Sequence, residues 1–214
     1  MICTEKLNES ATEICRTLRG NGHQAYLVGG VCRDLVIGRS PKDWDIVTDA
    51  SPDAIKSMFS RSLGIGESYG VVSVMLNGEA FDVATFRQDV GYSDGRRPDE
   101  VRFVQSLDED ASRRDFTMNA IYVDPIEGII HDPMNGHQDI ENRVIRFIGN
   151  PMDRLNEDRL RALRAVRFSA QLGFDIEDSA LVALKTLADG GDPFLSKDAA
   201  RAVSMERIRE ELSK

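Results

Sequence analysis

The residues best suited to chemistry lie between Tyr26 and Asp49, in YLVGGVCRDLVIGRSPKDWDIVTD. Gly29 and Gly30 follow the apolar run Tyr26-Leu27-Val28. A glycine pair has no Cβ to obstruct a ligand, so the backbone can turn sharply and approach closely. Arg33 falls in the first turn of the helix expected next. Unpaired N–H groups and the positive dipole end at a helix start suit a phosphate. Asp43 and Asp45 then flank Trp44 and lead into Ile46-Val47. Residues two apart on a strand share a face, so the two carboxylates converge. Converging carboxylates repel unless a cation sits between them, and Mg²⁺ takes such oxygens together with substrate phosphates. Singly, a glycine pair marks a turn and Asp-x-Asp a solvated strand end. Their order and spacing together describe a phosphate cradle facing a divalent metal.

Three elements must position these groups: a strand before the glycines, a helix carrying Arg33, and a second strand after the aspartates. Around them the spacing predicts a helix over residues 4–20, closed by Arg19-Gly20-Asn21-Gly22. Ser51-Pro52-Asp53 predicts a capped helix running to Phe59. Val71–Leu76 and Glu79–Phe86 read as strands of a hairpin turned at Asn77-Gly78. Gln88 to Val101 reads as a mobile polar loop, Asp110 to Ala120 as a helix, and Ile121 to Asp132 as another strand pair. The expectation is an α+β fold with a small mixed sheet over residues 1–149. The composition shifts near Gly149-Asn150-Pro151, and an all-helical segment is expected over 150–214.

Length and composition bound the rest. The chain has 214 residues, 41% hydrophobic and 29% charged, which is globular rather than disordered. No apolar run approaches a membrane span, and the start of the chain has no signal-peptide core. Cys3, Cys15 and Cys32 lack a metal-ligand spacing and read as reduced thiols of a cytoplasmic protein. His131 and His137 stand near acids but likewise lack a zinc pattern. The net charge of −9 opposes a wholly basic nucleic-acid surface. Distribution matters more: Asn142 to Arg167 carries seven arginines against three acids.

Gly29-Gly30-Val31-Cys32-Arg33-Asp34 followed by Asp43-Trp44-Asp45 resembles the nucleotidyltransferase superfamily of polymerase-β-like enzymes. More closely, it resembles the class II tRNA nucleotidyltransferase and bacterial poly(A) polymerase family. Further motifs follow in family order: Arg113-Arg114-Asp115 with Asn119, and Glu157-Asp158-Arg159-Leu160-Arg161 followed by Arg164 and Arg167. The resemblance implies a nucleotidyltransferase head joined to a helical neck, using CTP and ATP, Mg²⁺ and the 3′ end of a tRNA. It implies that Asp43 and Asp45 bind metal, with Asp82 as a third carboxylate that ligates metal or takes the proton of the attacking hydroxyl. Gly29, Gly30 and Arg33 would line the phosphate turn, Arg114 would hold the triphosphate and Asp115 the ribose. Asp158 and Arg161 would read the base, and Arg164 and Arg167 would help hold the nucleotide. Cytosine and adenine both offer an amino donor beside a ring-nitrogen acceptor, which a carboxylate and a guanidinium complement. Uracil and guanine would turn a carbonyl oxygen to the carboxylate, at about 1–3 kcal/mol for each mismatched buried group. On the residues alone, Asp158 and Arg161 could equally be an ordinary i,i+3 ion pair on a solvated helix.

The family's loop after the second hairpin strand is intact here, which argues against an enzyme adding only CC. Family members continue into body and tail domains, whereas this chain stops at Lys214 within a predicted helix, so a fragment is expected. A poly(A) polymerase and a non-catalytic nucleotide- or RNA-binding module remain the alternatives.

Overall fold

The computed structural model describes residues 7–66, 69–92, 98–190 and 203–213. The chain opens with α1 (Glu9–Gly20), capped by Asn8, whose side chain accepts the N–H of Ala11. Its Ala11, Ile14, Cys15 and Leu18 are buried at helical spacing. Then come β1 (Ala25–Val28), α2 (Gly30–Ile37), β2 (Ile46–Thr48) and α3 (Pro52–Met58). Ser51 caps α3 by accepting the Ala54 N–H, with Pro52 at the first turn, as the sequence predicts. Strands β3 (Ser62–Gly66), β4 (Val71–Leu76) and β5 (Glu79–Thr85) follow. The β4–β5 turn places Asn77 at φ 51° and Gly78 at φ 86°. Both residues are left-handed, the two-residue geometry that matches strand twist.

These strands build one seven-stranded sheet together with β8 (Tyr122–Val123) and β9 (Ile130–His131). The order is β3-β4-β5-β2-β1-β8-β9, and β2 runs parallel to β5 while the other neighbours are antiparallel. Period-two alternation divides the core between the two faces. Leu27, Ile46, Val83 and Val123 join the larger cluster under α1 and α2. Tyr26, Val28, Val47 and Tyr122 face the smaller one. The mixed sheet of the sequence reading is therefore present, including the strand pair expected over Ile121 to Asp132, and gains β3 at its edge.

Two expectations change between β5 and β8. Gln88 to Val101 is not all loop: β6 (Arg87–Val90) and β7 (Glu100–Phe103) pair antiparallel, with Arg87 opposite Phe103. Residues 93–97 lie outside the described residues. Nor does one helix run from Asp110 to Ala120. Helix α4 (Leu107–Ser112) ends first, and Phe116 is extended and bridges to Phe147. The reason is local. Asp115 turns its carboxylate back onto the Phe116 N–H, 2.8 Å away, an alternative to a helical bond. A single 3₁₀ turn, Thr117–Asn119, leads into β8.

After β9 come α5 (Gly136–Glu141), β10 (Val144–Ile145), α6 (Pro151–Glu157) and α7 (Leu160–Leu172). Then follow β11 (Asp175–Ile176), α8 (Asp178–Asp189) and α9 (Met205–Leu212). Among the described residues after 150, β11 is the one extended pair, and it returns to run parallel to β10. The core also continues through residue 150: Leu155, Ala165, Phe168 and Phe174 share the larger cluster with Leu27 and Ile46. Phe116 meets Phe168 edge-on at 5.7 Å and tilts against Phe147 at 4.8 Å. The expected single helix around Asp158 is broken there. Asp158 is extended (φ −150°, ψ 108°) and its Oδ1 accepts the Leu160 N–H at 3.0 Å, ending α6 and starting α7.

Gly136 opens α5 directly against the 3₁₀ turn. A Cβ there would sit 2.2 Å from the Thr117 carbonyl oxygen and 2.7 Å from its carbon. Backbone cannot yield as a side-chain tip does, so Gly136→Ala is expected to lose roughly 2–4 kcal/mol of stability in urea unfolding. Gly20 ends α1, and a Cβ there would meet nothing within 4 Å. Gly20→Ala is expected to stay within about 1 kcal/mol, on the stabilising side, because the unfolded chain loses freedom.

Candidate active site

Strand β1 delivers the chain to Gly29, which takes φ 81° and ψ −133°, and α2 begins at the next residue. This conformation is strained for any residue with a side chain. A Cβ at Gly29 would also lie 3.7 Å from Asp45 Oδ2 and 3.9 Å from Arg114 Nη1. The glycine turn is thus the meeting point of a carboxylate and a guanidinium that lie 69 positions apart in the chain.

Asp43 and Asp45 precede β2 rather than lying within it. Ladder bonding still reaches Asp45, whose carbonyl oxygen accepts the Val28 N–H at 3.1 Å. The parallel register pairs Ile46 with Val83, so one step back sets Asp45 beside Asp82 on the same face. Asp45 opens to solvent through the cleft, yet the protein around it removes enough water to raise its pKa. Arg114 opposes that rise, and the neighbouring carboxylates of Asp82 and Asp43 add to it. Asp43, Trp44, Asp45 and Asp82 line one cleft of about 520 Å³. Asp43 and Asp45 also line a second, of about 690 Å³, with Gly30, Arg33 and Arg167. An all-oxygen donor set fits a hard divalent cation. No group of three His, Cys, Asp or Glu side chains among the described residues closes into a metal cage. Two carboxylates completed by phosphate and water are the usual magnesium arrangement. Of the two histidines weighed for zinc, His131 packs edge-on to Tyr26 at 5.0 Å and His137 faces Glu141 at 3.5 Å.

Arg114 is held by Asp110, a residue the sequence reading passed over. Asp110 is fully buried and takes Arg113 at 2.7 Å, Arg114 at 2.9 Å, and the Tyr122 hydroxyl at 2.9 Å. Burial opposes its ionisation, but Arg114 and Arg113 overcome that and hold its pKa at about 2. The local signal was present, since Asp110 precedes the two arginines by three and four residues.

Asp115 is the next fixed charge. Its Oδ1 accepts from the Phe116 N–H at 2.8 Å and the Asn119 amide at 3.1 Å. Its Oδ2 accepts from Arg164 Nε at 2.8 Å and Nη2 at 2.6 Å. Burial again opposes ionisation, and Arg164 with Asn119 brings the pKa down to about 2. Asn119 in turn accepts from Arg33 Nη1 at 3.0 Å. One chain of polar contacts therefore runs Arg33–Asn119–Asp115–Arg164, from the glycine turn to α7. Three guanidinium groups, those of Arg33, Arg164 and Arg167, also pack over the Phe168 ring at 5.1, 5.5 and 4.0 Å.

Asp158 and Arg161 do not pair with each other. Arg161 Nη1 bonds Glu157 and the Arg154 carbonyl, the latter at 2.9 Å. Asp158 takes Arg207 of α9, through Nη1 at 3.2 Å and Nη2 at 2.7 Å. The physical reason is the break at 158, which removes Asp158 from the helix surface that Arg161 shares. Both residues nevertheless line one pocket of about 320 Å³ with Arg114, Asp115 and Arg164. Arg87, Asp89, Tyr92, Arg113 and Arg207 complete its polar wall. Arg167 points instead to Glu211 of α9, at 2.6 Å. No sequence signal pointed to Arg207 or Glu211, which lie more than forty residues from their partners.

Asp115 has its pKa lowered on folding, so its stabilisation is complete above the unfolded value near 4 and vanishes as pH falls through about 2. Asp115→Asn is expected to melt at lower temperature than the parent at pH 7, by about 2 kcal/mol of lost linkage. The two melting curves should converge toward pH 2, read by thermal unfolding across pH.

Comparison with known proteins places this geometry. The family described as the poly A polymerase head domain matches residues 25–146, more than half of the chain. A CCA-adding enzyme of Lactobacillus helveticus is 43% identical over 217 residues, covering 100% of this chain and 52% of that protein. One from Staphylococcus aureus (strain MRSA252) is 43% identical over 211 residues, covering 98% and 50%. The chain spans about half the length of these relatives. Among solved structures, the Bacillus stearothermophilus CCA-adding enzyme in complex with CTP superposes with a TM-score of 0.82 at 38% identity, covering 95% of this chain and 47% of that one. A tRNA nucleotidyltransferase complexed with a primer tRNA and an incoming ATP analog gives 0.73 at 26% identity, covering 94% and 56%. With the glycine turn, the paired aspartates and the Arg-Arg-Asp motif all inside or beside the matched span, the chain belongs to the poly A polymerase head domain family.

Proposed function

We propose that this chain carries the catalytic and nucleotide-reading part of a cytoplasmic, template-independent RNA nucleotidyltransferase that adds CMP and AMP from CTP and ATP to the 3′ end of tRNA. The observation that carries this reading is the convergence of Asp45, Arg114 and the Gly29 turn, with Asp82 beside Asp45. It is supported by the relatives above, named CCA-adding enzymes.

In this reading Asp43 and Asp45 hold Mg²⁺. A metal held there would supply Lewis acidity toward the RNA 3′-hydroxyl and the departing pyrophosphate. The chain's own residues bind and orient. Gly29 and Gly30 let the triphosphate approach the backbone, and the Arg33 and Arg114 guanidinium groups attract it. Arg114 can do so rigidly because Asp110 and Tyr122 fix its Nε and Nη2 and leave Nη1 directed at the turn. Asp82, beside Asp45, is the candidate to receive the proton of the attacking hydroxyl. Asp115, anchored through Asn119 and Arg164, forms the ribose side of the pocket; Arg164 flanks the nucleotide there, and Arg167, held by Glu211, does so from the cleft it lines with Arg33 and Asp45. Asp158 and Arg161 select the base: the carboxylate accepts an amino hydrogen and the guanidinium donates to a ring nitrogen, which favours C and A. The division into a head over 1–149 and a helical neck over 150–214 follows the same logic, with metal and phosphates in the first and the base in the second.

The decisive experiment supplies full-length protein with tRNA ending at the discriminator base, and CTP and ATP separately and together. Sequential C, C and A incorporation is expected, with little from UTP or GTP; a product of repeated A alone would instead favour a poly(A) polymerase. Asp43→Ala and Asp45→Ala are each expected to lower incorporation by roughly a thousandfold or more while circular dichroism stays unchanged. Undiminished incorporation by either variant would remove catalysis from this site.

A further inference from the structure

We propose that Arg207 on α9 is a positioning residue for base selection: it sets the plane of the Asp158 carboxylate, and so which hydrogen-bond pattern the pocket accepts. The proposal rests on the base-reading role given above to Asp158 and Arg161.

The argument starts from where Asp158 lies. It occupies the extended link between α6 and α7, so no helix ladder on either side fixes its side chain. A carboxylate there would rotate about χ2 with little resistance. Two contacts remove that freedom. The Leu160 N–H takes Oδ1 at 3.0 Å, and Arg207 takes both oxygens, Nη1 to Oδ1 at 3.2 Å and Nη2 to Oδ2 at 2.7 Å. A guanidinium in this parallel arrangement is coplanar with the carboxylate, which point charges cannot enforce.

The count of lone pairs then defines what is left. An ionised carboxylate offers about four acceptor sites. Oδ1 has both occupied, by Leu160 and Arg207, and Oδ2 has one occupied by Arg207. Among the described residues this leaves a single acceptor position on Oδ2, beside the pocket that Arg161 and Arg207 also line. One fixed acceptor reads one amino hydrogen. A rotating carboxylate could instead move away from a carbonyl oxygen and tolerate the wrong base.

Arg207 is not what keeps α9 in place. Glu211, buried on the same helix, bonds Arg167 at 2.6 Å and approaches Arg164 at 3.8 Å. Ser204 caps the helix independently. Removing the Arg207 fork therefore leaves α9 docked while releasing the carboxylate.

The test measures binding of CTP and UTP, with Mg²⁺, to the 214-residue chain by calorimetry, with fluorescence of Trp44, the single tryptophan, as a second reading. Arg207→Gln is expected to cut the CTP-over-UTP preference by about tenfold, chiefly through weaker CTP binding, with UTP moving less than about twofold. Arg207→Lys, which keeps the charge but not the fork, should fall between parent and Gln. Arg209→Gln, on the exposed side of α9, should match the parent. An unchanged preference in Arg207→Gln, whether both nucleotides hold or weaken together, overturns the proposal. Should that variant unfold by circular dichroism, Arg207→Lys decides alone, and an unchanged preference there overturns it equally. Asp158→Ala separates the two layers. If it abolishes the preference and Arg207→Gln does not, only the Arg207 assignment fails. If the parent chain shows no preference, or Asp158→Ala leaves it intact, the base-reading role itself fails and Arg207 falls with it.

Discussion

The half-buried ion pair between Asp115 and Arg164 is the constraint on which the site's geometry depends. It joins the turn after α4 to α7, two segments 49 positions apart. A pair removed from water is stable only if every remaining lone pair and proton finds a partner. Asp115 meets that condition with the Phe116 N–H and the Asn119 amide on its other oxygen. Asn119 then passes the constraint to Arg33, one turn into the helix that begins beside Gly29. The glycine turn and α7 consequently cannot shift independently without breaking a charged contact. The apolar contact of Phe116 with Phe168 holds the same two segments from behind. Packing and charge thus agree on one arrangement, which is what makes a polar network specify rather than merely tolerate a structure.

The charge distribution reconciles a net charge of −9 with the anionic ligand of the proposed function. Asp43, Asp45 and Asp82 gather on one side of the glycine turn, and six arginines line the pocket on the other. Arg114 stands where the two regions meet. An acidic side and a basic side divide a metal–triphosphate complex naturally, cation against carboxylates and phosphates against guanidinium groups. The total charge carries no information about this, because it does not record where the charges lie.

Much of this was legible before any coordinates. Caps and turns announced themselves by local chemistry: Ser51-Pro52 opening α3, Asn77-Gly78 turning the β4–β5 hairpin. Gly29, Arg33, Asp43 and Asp45 could be singled out because spacing along one strand–turn–helix–strand unit translates directly into proximity. What failed were the places where a side chain overrides the backbone's preference. Asp115 diverts the chain from helix at Phe116, and Asp158 interrupts the helix that its neighbours' composition favours. In both, a carboxylate accepts a nearby backbone N–H, a competition invisible to periodicity. The partners of Asp158 and Arg167 were beyond reach for another reason. Arg207 and Glu211 belong to a separate helix, and no local rule brings α9 onto α7.

The two interruptions have a common consequence. Helical residues at fixed steps share a face and a direction, so a carboxylate and guanidinium three apart in a helix tend to neutralise each other. By leaving the helix at 158, the chain separates Asp158 from Arg161 and gives each a different counter-charge, Arg207 and Glu157. A pair that neutralised itself would present little to a ligand. Two groups with separate counter-charges both line the one pocket, and separate partners are the condition for a protein to offer a hydrogen-bond pattern rather than consume it internally. The same logic holds at Asp110, which occupies Nε and Nη2 of Arg114 and leaves Nη1 toward Gly29. In each case the ionic partner behind the functional group does not compete with the ligand; it fixes the direction in which the group can act.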